Sequence, residues 1–262
     1  MAIDYVLGVG CEPQERLGVE RLVQMNRTRI LARTALAQMR EDGDQRAPKE
    51  IEIQLTMRTQ GGDSARGVTL QDLLDDSDGL DIVAEHCKQC PADLGREFAC
   101  HRRIRYPIPE RVEQWLLSRL PENLGCTAGA MLVRALGELG WDGAPTAKLR
   151  ASGDTFFESR VAHGVRWESK DGSIEISSDQ LFQMLFLVGP VAPTHALMLA
   201  LFCGVIPHDT SLHDLKDEAG RRRVLAQAHV PTESDPEIEQ LAAFLRVLAV
   251  AARLEVPVLI DG

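Results

Sequence analysis

A mixed α+β fold in which helix predominates is predicted by three observations. Short alternating segments mark strands at residues 3–9 and 51–57. Asp171-Gly172, between two alternating arms, marks a β-hairpin. The stretches between and after these segments repeat apolar residues at helical spacing. The expected organisation is an N-terminal strand–helix–strand unit, a cysteine-rich connection, and a β-hairpin followed by an apolar helical C-terminal part.

The elements follow in order. Residues 3–9 cluster β-formers until Gly8 and Gly10 break them. Glu12-Pro13-Gln14-Glu15 suits a first helical turn, where proline and acids are tolerated. The predicted helix runs on to Glu41-Asp42-Gly43-Asp44, with an apolar stripe through Leu17, Val19, Leu22, Val23, Met25, Ile30, Leu31, Leu36 and Met39. Ile51, Ile53, Leu55 and Met57 alternate with polar residues, as a half-buried strand does. Residues 60–67 read as a flexible glycine-rich loop; they lack the GxxxxGK[ST] spacing of a phosphate-binding loop. Thr69 is placed to cap a short helix through Leu74.

Beyond the cysteines, residues 103–108 form a short strand ended by Pro107 and Pro109. Helices are expected from Pro109-Glu110 and over 127–139, the second stopping at Gly140. The hairpin pairs 165–170 with 173–176, and Ser177-Ser178-Asp179-Gln180 opens a helix with a capping box. Two very apolar helices occupy 181–188 and 194–205. Asp235-Pro236-Glu237 starts a helix to about residue 254, buried along Ile238, Leu241, Leu245, Leu248 and Ala252. A final strand is expected at 256–260. Glycines and prolines at 140–153 suggest a soft boundary between an α/β part (1–140) and a hairpin-plus-helices part (141–262), or one continuous domain.

The chain has 262 residues, 44% hydrophobic and 26% charged, enough apolar material for a core without metal or disulfide support. Its net charge of -10 disfavours nucleic acid, which requires clustered cations. Arg102, Arg103 and Arg105, and Arg221, Arg222 and Arg223, read as solvated faces. A nucleic-acid-associated zinc protein is the least favoured reading for that reason. Met1-Ala2-Ile3-Asp4-Tyr5 lacks a basic leader and apolar run, so a cytoplasmic location is expected. The most apolar stretch, 181–206, is interrupted by Gln183, Pro190, Pro193 and His195, which argues against a membrane.

The chemistry concentrates in Cys87-Lys88-Gln89-Cys90, followed by Cys100 and Cys126. In a reducing compartment these are thiols or metal ligands. A CxxC turn directs two sulfurs inward, and a tetrahedral zinc site needs two more ligands. Cys87, Cys90, Cys100 and Cys126 form the predicted set, with His101 or His86 as alternatives to Cys126. Cys126 is preferred because it precedes a helix, whose free amides favour a thiolate, and because His101 adjoins Cys100 and would point away from it. Zinc is the expected ion. An iron–sulfur cluster is the alternative, since Cys90-Pro91 has a ferredoxin-like pairing, and a redox CxxC is a third. Cys203 reads as core. Cys11 follows the first strand, where α/β enzymes place nucleophiles, but alone it reads as structural. His195, His208 and His213, near Asp209 and Asp214, form no recognised catalytic pattern. The expected role is a metal-stabilised regulatory or assembly factor acting through another protein. The competing reading is an enzyme or redox sensor using the same cysteines.

Overall fold

The computed structural model describes residues 2–59, 62–153, 155–169 and 172–261. The fold is mixed α+β and predominantly helical, as predicted. The chain forms two compact units, one made of Met1–Val9 and Arg102–Gly262, the other of Gly10–His101. The boundary suggested at 140–153 falls inside the first of these.

Strand β1 (Ala2–Leu7) starts the first unit, with Ile3 to Leu7 all buried. The chain then enters the second unit through α1 (Glu12–Leu17) and α2 (Val19–Glu41). The sequence predicted one continuous helix here. Gly18, at φ +75°, divides it, a conformation glycine adopts without steric cost. Its amide closes α1 on the Gln14 carbonyl (2.9 Å), while its carbonyl accepts the Leu22 amide that opens α2 (3.0 Å). The buried stripe of α2 runs through Leu22, Met25, Arg29 and Ala32; Ile30 and Leu31, expected in it, are exposed.

Strands β2 (Glu52–Thr59) and β3 (Gly62–Thr69) pair antiparallel, with Glu52 opposite Thr69. Residues 62–67, predicted as loop, are therefore strand; residues 60 and 61 lie outside the described set. The glycine-rich second strand carries little alternation, and backbone pairing with β2 decides its conformation. Thr69 caps α3 (Leu70–Asp76) by accepting the Asp72 amide at 3.1 Å, and α4 (Gly79–Ala84) runs into a 3-10 turn at Glu85–Gln89. One core joins Leu22, Met25, Leu80, Val83, Ala84 and Phe98; another joins Ala32, Ile51, Leu70 and Leu73.

Back in the first unit, β4 (His101–Arg105) flanks β1 on one side and β7 (Val258–Asp261) on the other, the latter antiparallel with Tyr5 opposite Ile260. Helix α5 (Glu110–Ser118) and α6 (Thr127–Leu139) follow, α6 ending at left-handed Gly140 as predicted. Helix α7 (Ala144–Ala151) was not foreseen, because its glycines and Pro145 read as linker. Strands β5 (Gly164–Ser169) and β6 (Gly172–Ser177) form the predicted hairpin, but Ser169 pairs with Gly172, so Gly172 belongs to the second strand. Residues 170 and 171, Asp171 of the predicted turn among them, lie outside the described set.

The Ser177–Gln180 capping box opens α8 (Ser178–Phe186), and α9 (Pro193–Phe202) follows. Two unforeseen helices, α10 (Leu212–Lys216) and α11 (Glu218–Ala226), are capped by Ser211 and Asp217. In α12 (Pro236–Leu254), Asp235 accepts the Glu237 and Ile238 amides. Leu241, Leu245 and Leu248 are buried as expected while Ile238 and Ala252, near the two ends, are only half-buried; Phe244 and Val247 are buried too, because α12 packs on α9, α5 and β7 together. Tyr5, Phe244, Phe186, Phe182 and Phe157 form a continuous run of ring contacts, 4.7–5.8 Å between centroids. Among the described residues no helix is long and apolar enough to cross a membrane.

Candidate metal centre

Four cysteines of the second unit, Cys11, Cys87, Cys90 and Cys100, line one cavity of about 370 Å³. The local structure explains how they meet. Cys11 is the residue before α1, held extended where Gly10 (φ +60°) turns the chain out of β1. Helix α1 packs against the 3-10 turn that carries Cys87, which brings the N-terminal thiol to the CxxC segment. Cys87 lies within that turn and Cys90 directly follows it, the Cys90 amide donating to the Cys87 carbonyl at 3.2 Å.

Cys100 returns by a loop that reverses through three left-handed residues, Asp93 (φ +44°), Gly95 (φ +78°) and Phe98 (φ +51°). A left-handed aromatic residue is uncommon and costs on the order of 1–2 kcal/mol. Burial of the Phe98 ring in the core with Leu22, Met25 and Val83 holds it there. In this conformation the Phe98 amide donates to the Cys87 sulfur at 3.5 Å. Ala99 and Cys100 are buried beside it.

The thiols sense one another. Burial pushes Cys100 up to about 12, and negative charge at Cys11, Cys90 or Cys87 adds to the shift. Burial also raises Cys11; the Gln14 amide opposes this, and charge at Cys90 and Cys87 reinforces it. Cys87 is raised by burial, lowered by the Phe98 amide, and raised again by charge at Cys90 and Glu97. A set of mutually repelling, partly buried thiols holds its protons at neutral pH until a cation compensates the charge. All six cysteines of the chain are free thiols. Among the described residues, no three Cys, His, Asp or Glu side chains stand as a group able to grip a metal ion as they are placed.

Three of the four predicted ligands, Cys87, Cys90 and Cys100, thus line the same cavity. Cys126 does not. It belongs to the first unit, where it caps α6: its sulfur accepts the Gly129 amide at 3.4 Å and donates to the Asn123 carbonyl at 3.2 Å. It lines a separate cavity of about 420 Å³ with Arg119, Glu122, His208 and Asp209. His86 is exposed and His101 buried, and neither lines the four-thiol cavity. Cys11 was the residue missed. Its signal was weak, because 75 residues separate it from Cys87 and only the fold joins them.

The remaining candidates have structural surroundings. Cys203 is buried in core, as predicted. His195 stacks on Trp141 with ring centroids 5.2 Å apart, and burial lowers its proton affinity. Burial likewise lowers His208. Arg221, Arg222 and Arg223 pair with Glu255, Glu218 and Asp214, the solvated ion-paired face expected of them. Arg103 reaches buried Asp4 at 3.5 Å. No protein-family model, curated protein or solved structure matches the chain.

Proposed function

We propose that this chain is a metal-binding protein whose centre is carried by thiolates of the second unit, Cys87, Cys90 and Cys100 among them. In this reading it works as a regulatory or assembly factor that engages another protein. One observation supports the centre above all: three thiols predicted from spacing alone, and a fourth from a remote segment, converge on one cavity. Thiols are costly to ionise together in a half-buried site, and a cation is the usual compensation. Zinc is the simplest occupant of a tetrahedral thiolate set, and there it would contribute to the stability of the loop from Cys87 to Cys100. A protein partner is favoured over nucleic acid by the net charge of -10.

The test is the metal content of the full chain purified without chelators, read beside Cys90→Ser. A stoichiometric metal lost in Cys90→Ser supports the reading; a metal-free wild-type chain refutes it. Affinity capture with the same pair of proteins tests the partner. A protein retained by wild type and not by Cys90→Ser is expected; equal capture by both separates the interaction from the metal.

The second reading, an iron–sulfur cluster at the same cysteines in an enzyme or redox sensor, draws support from the ferredoxin-like pairing of Cys90 with Pro91.

A further inference from the structure

We infer that Cys11, Cys87, Cys90 and Cys100 together ligate a four-iron iron–sulfur cluster, with Cys11 in the fourth position. The inference rests on the proposal that these thiols form a metal centre, and it names the group they hold. The ligand count is that of such a cluster, which takes four cysteine thiolates. The thiols come from three separate places: the residue before α1, the CxxC turn, and the end of the returning loop.

A cluster and a single ion ask different spacings of the same four thiols. A zinc ion holds thiolates at about 2.3 Å, which requires sulfurs about 3.8 Å apart around a centre with no further room. Here the four thiols line one cavity of about 370 Å³, whose wall is apolar at Pro13, Leu94, Phe98 and Ala99 and charged at Lys88, Asp93, Arg96 and Glu97. The apolar side of such a wall would shield a cluster from water, and backbone amides aimed at its sulfurs would tune it. The Phe98 amide on Cys87 already has that aim. Cys90-Pro91 carries the one ferredoxin-like local signal, while the remote Cys11 replaces the closely spaced ligands of that motif.

The placement has a mechanical consequence. The second unit runs from Gly10 to His101, so Cys11 and Cys100 lie one residue inside its two ends. A cluster held by both ties the beginning of the unit to its end and the CxxC turn to each.

The test is anaerobic reconstitution of the full chain with ferrous iron, sulfide and a thiol reductant, followed by desalting. The expected product is brown, absorbs near 400 nm, and carries about four iron and about four acid-labile sulfide per chain. Cys11→Ser, Cys87→Ser, Cys90→Ser and Cys100→Ser should each lose most of that absorbance, and Cys126→Ser should keep it. Because a ligand variant can fail to fold, the loaded wild-type chain is also alkylated and mapped by mass spectrometry. Protection of Cys11 together with Cys87, Cys90 and Cys100, with Cys126 modified, supports the assignment. Modified Cys11 in the loaded protein, or an unchanged cluster in Cys11→Ser, overturns its role. A colourless chain that takes one zinc and no iron overturns the cluster while leaving a metal centre standing. A chain that takes neither overturns both.

Discussion

The backbone amide of Phe98 points at the sulfur of Cys87, 3.5 Å away, from a left-handed conformation that burial of the Phe98 ring holds in place. The thiol site and the hydrophobic core of the second unit are therefore one construction. Cys87 packs against the same cluster of Leu22, Met25, Leu80 and Val83 that seats the ring. Phe98→Ala should then act on both. Truncating a core phenylalanine costs about 3–5 kcal/mol, and here the amide that faces the thiol is released with it. The expected result is a lower melting temperature together with faster metal loss to a chelator. Loss of stability with unchanged chelation kinetics would separate the ring from the site.

The pH dependence of the metal-free chain follows from Cys100. Its thiol is raised from the ordinary 9.0 to about 12 by burial, with the neighbouring thiols adding to it. The folded state thus favours the neutral thiol. That contribution is complete below the unfolded value and is lost as pH rises through the folded one, so stability should fall between pH 9 and about 12. Cys203, raised to about 12 by burial, behaves alike. Denaturant melts of metal-free wild type and Cys100→Ala across this range are the check: the variant should lose less of its own stability on alkalinisation. Metal-loaded protein should show the opposite sensitivity, releasing metal on acidification as ligands are protonated.

In the first unit, Arg150 makes a two-pronged ion pair with Glu113 at 2.6 and 3.0 Å. It also reaches Asp179 at 2.8 Å and lies 4.1 Å over the Phe157 ring. Glu113 is 0% exposed. Burial alone would lower the proton affinity of Arg150, but the hydrogen bonds it donates to Glu113 and Asp179 raise it overall. Glu113→Ala leaves a buried cation short of its principal partner and should destabilise by about 3–5 kcal/mol. An apolar replacement of both, Glu113→Leu with Arg150→Met, should recover part of that loss in chemical denaturation. A negligible loss in Glu113→Ala would show that Asp179 alone satisfies Arg150.

Leu245 of α12 is 0% exposed in the middle of the helix that packs on α9 and β7. Leu245→Ala should cost about 2–5 kcal/mol by thermal or denaturant unfolding. A negligible change would mean that α9 and β7 close over the space.

How far the sequence was legible varies by element, for physical reasons. Local chemistry carried the caps: Thr69, Ser177 and Asp235 each accept the amides their positions predicted. The same signals at Ser211 and Asp217 stood before helices too short for an apolar period to register. Gly18 was hidden inside a long periodic stretch, because periodicity does not report a single left-handed residue. β3 was hidden by the opposite fault, since its pairing is backbone to backbone and its side chains alternate weakly. Of the thiol site, spacing revealed Cys87, Cys90 and Cys100. Cys11 reaches the same cavity only through the tertiary packing of α1 on the CxxC turn, while Cys126, nearer in sequence, lines a separate cavity.

The last prediction concerns what binding does to the second unit. Between Cys90 and Cys100 the chain has no helix or strand, and its reversal depends on left-handed Asp93, Gly95 and Phe98. Of these, Phe98 is anchored by burial, while Asp93, Gly95, Arg96 and Glu97 are exposed. Exposed, irregular backbone with few buried contacts opens at low free energy, and a metal bound only in the folded state raises that cost by mass action. Limited proteolysis of loaded and metal-free chain should therefore differ most after Arg96 and Lys88, where a trypsin-like protease cuts. The β5–β6 hairpin, with no ligand of its own, should be cleaved at Arg166 at nearly the same rate in both forms. Protection confined to residues 86–100 fits a centre built on Cys87, Cys90 and Cys100. Protection extending to Arg16, beside Cys11, adds the N-terminal ligand. Equal cleavage at every site, with metal bound, would mean that the loop does not contribute to holding it.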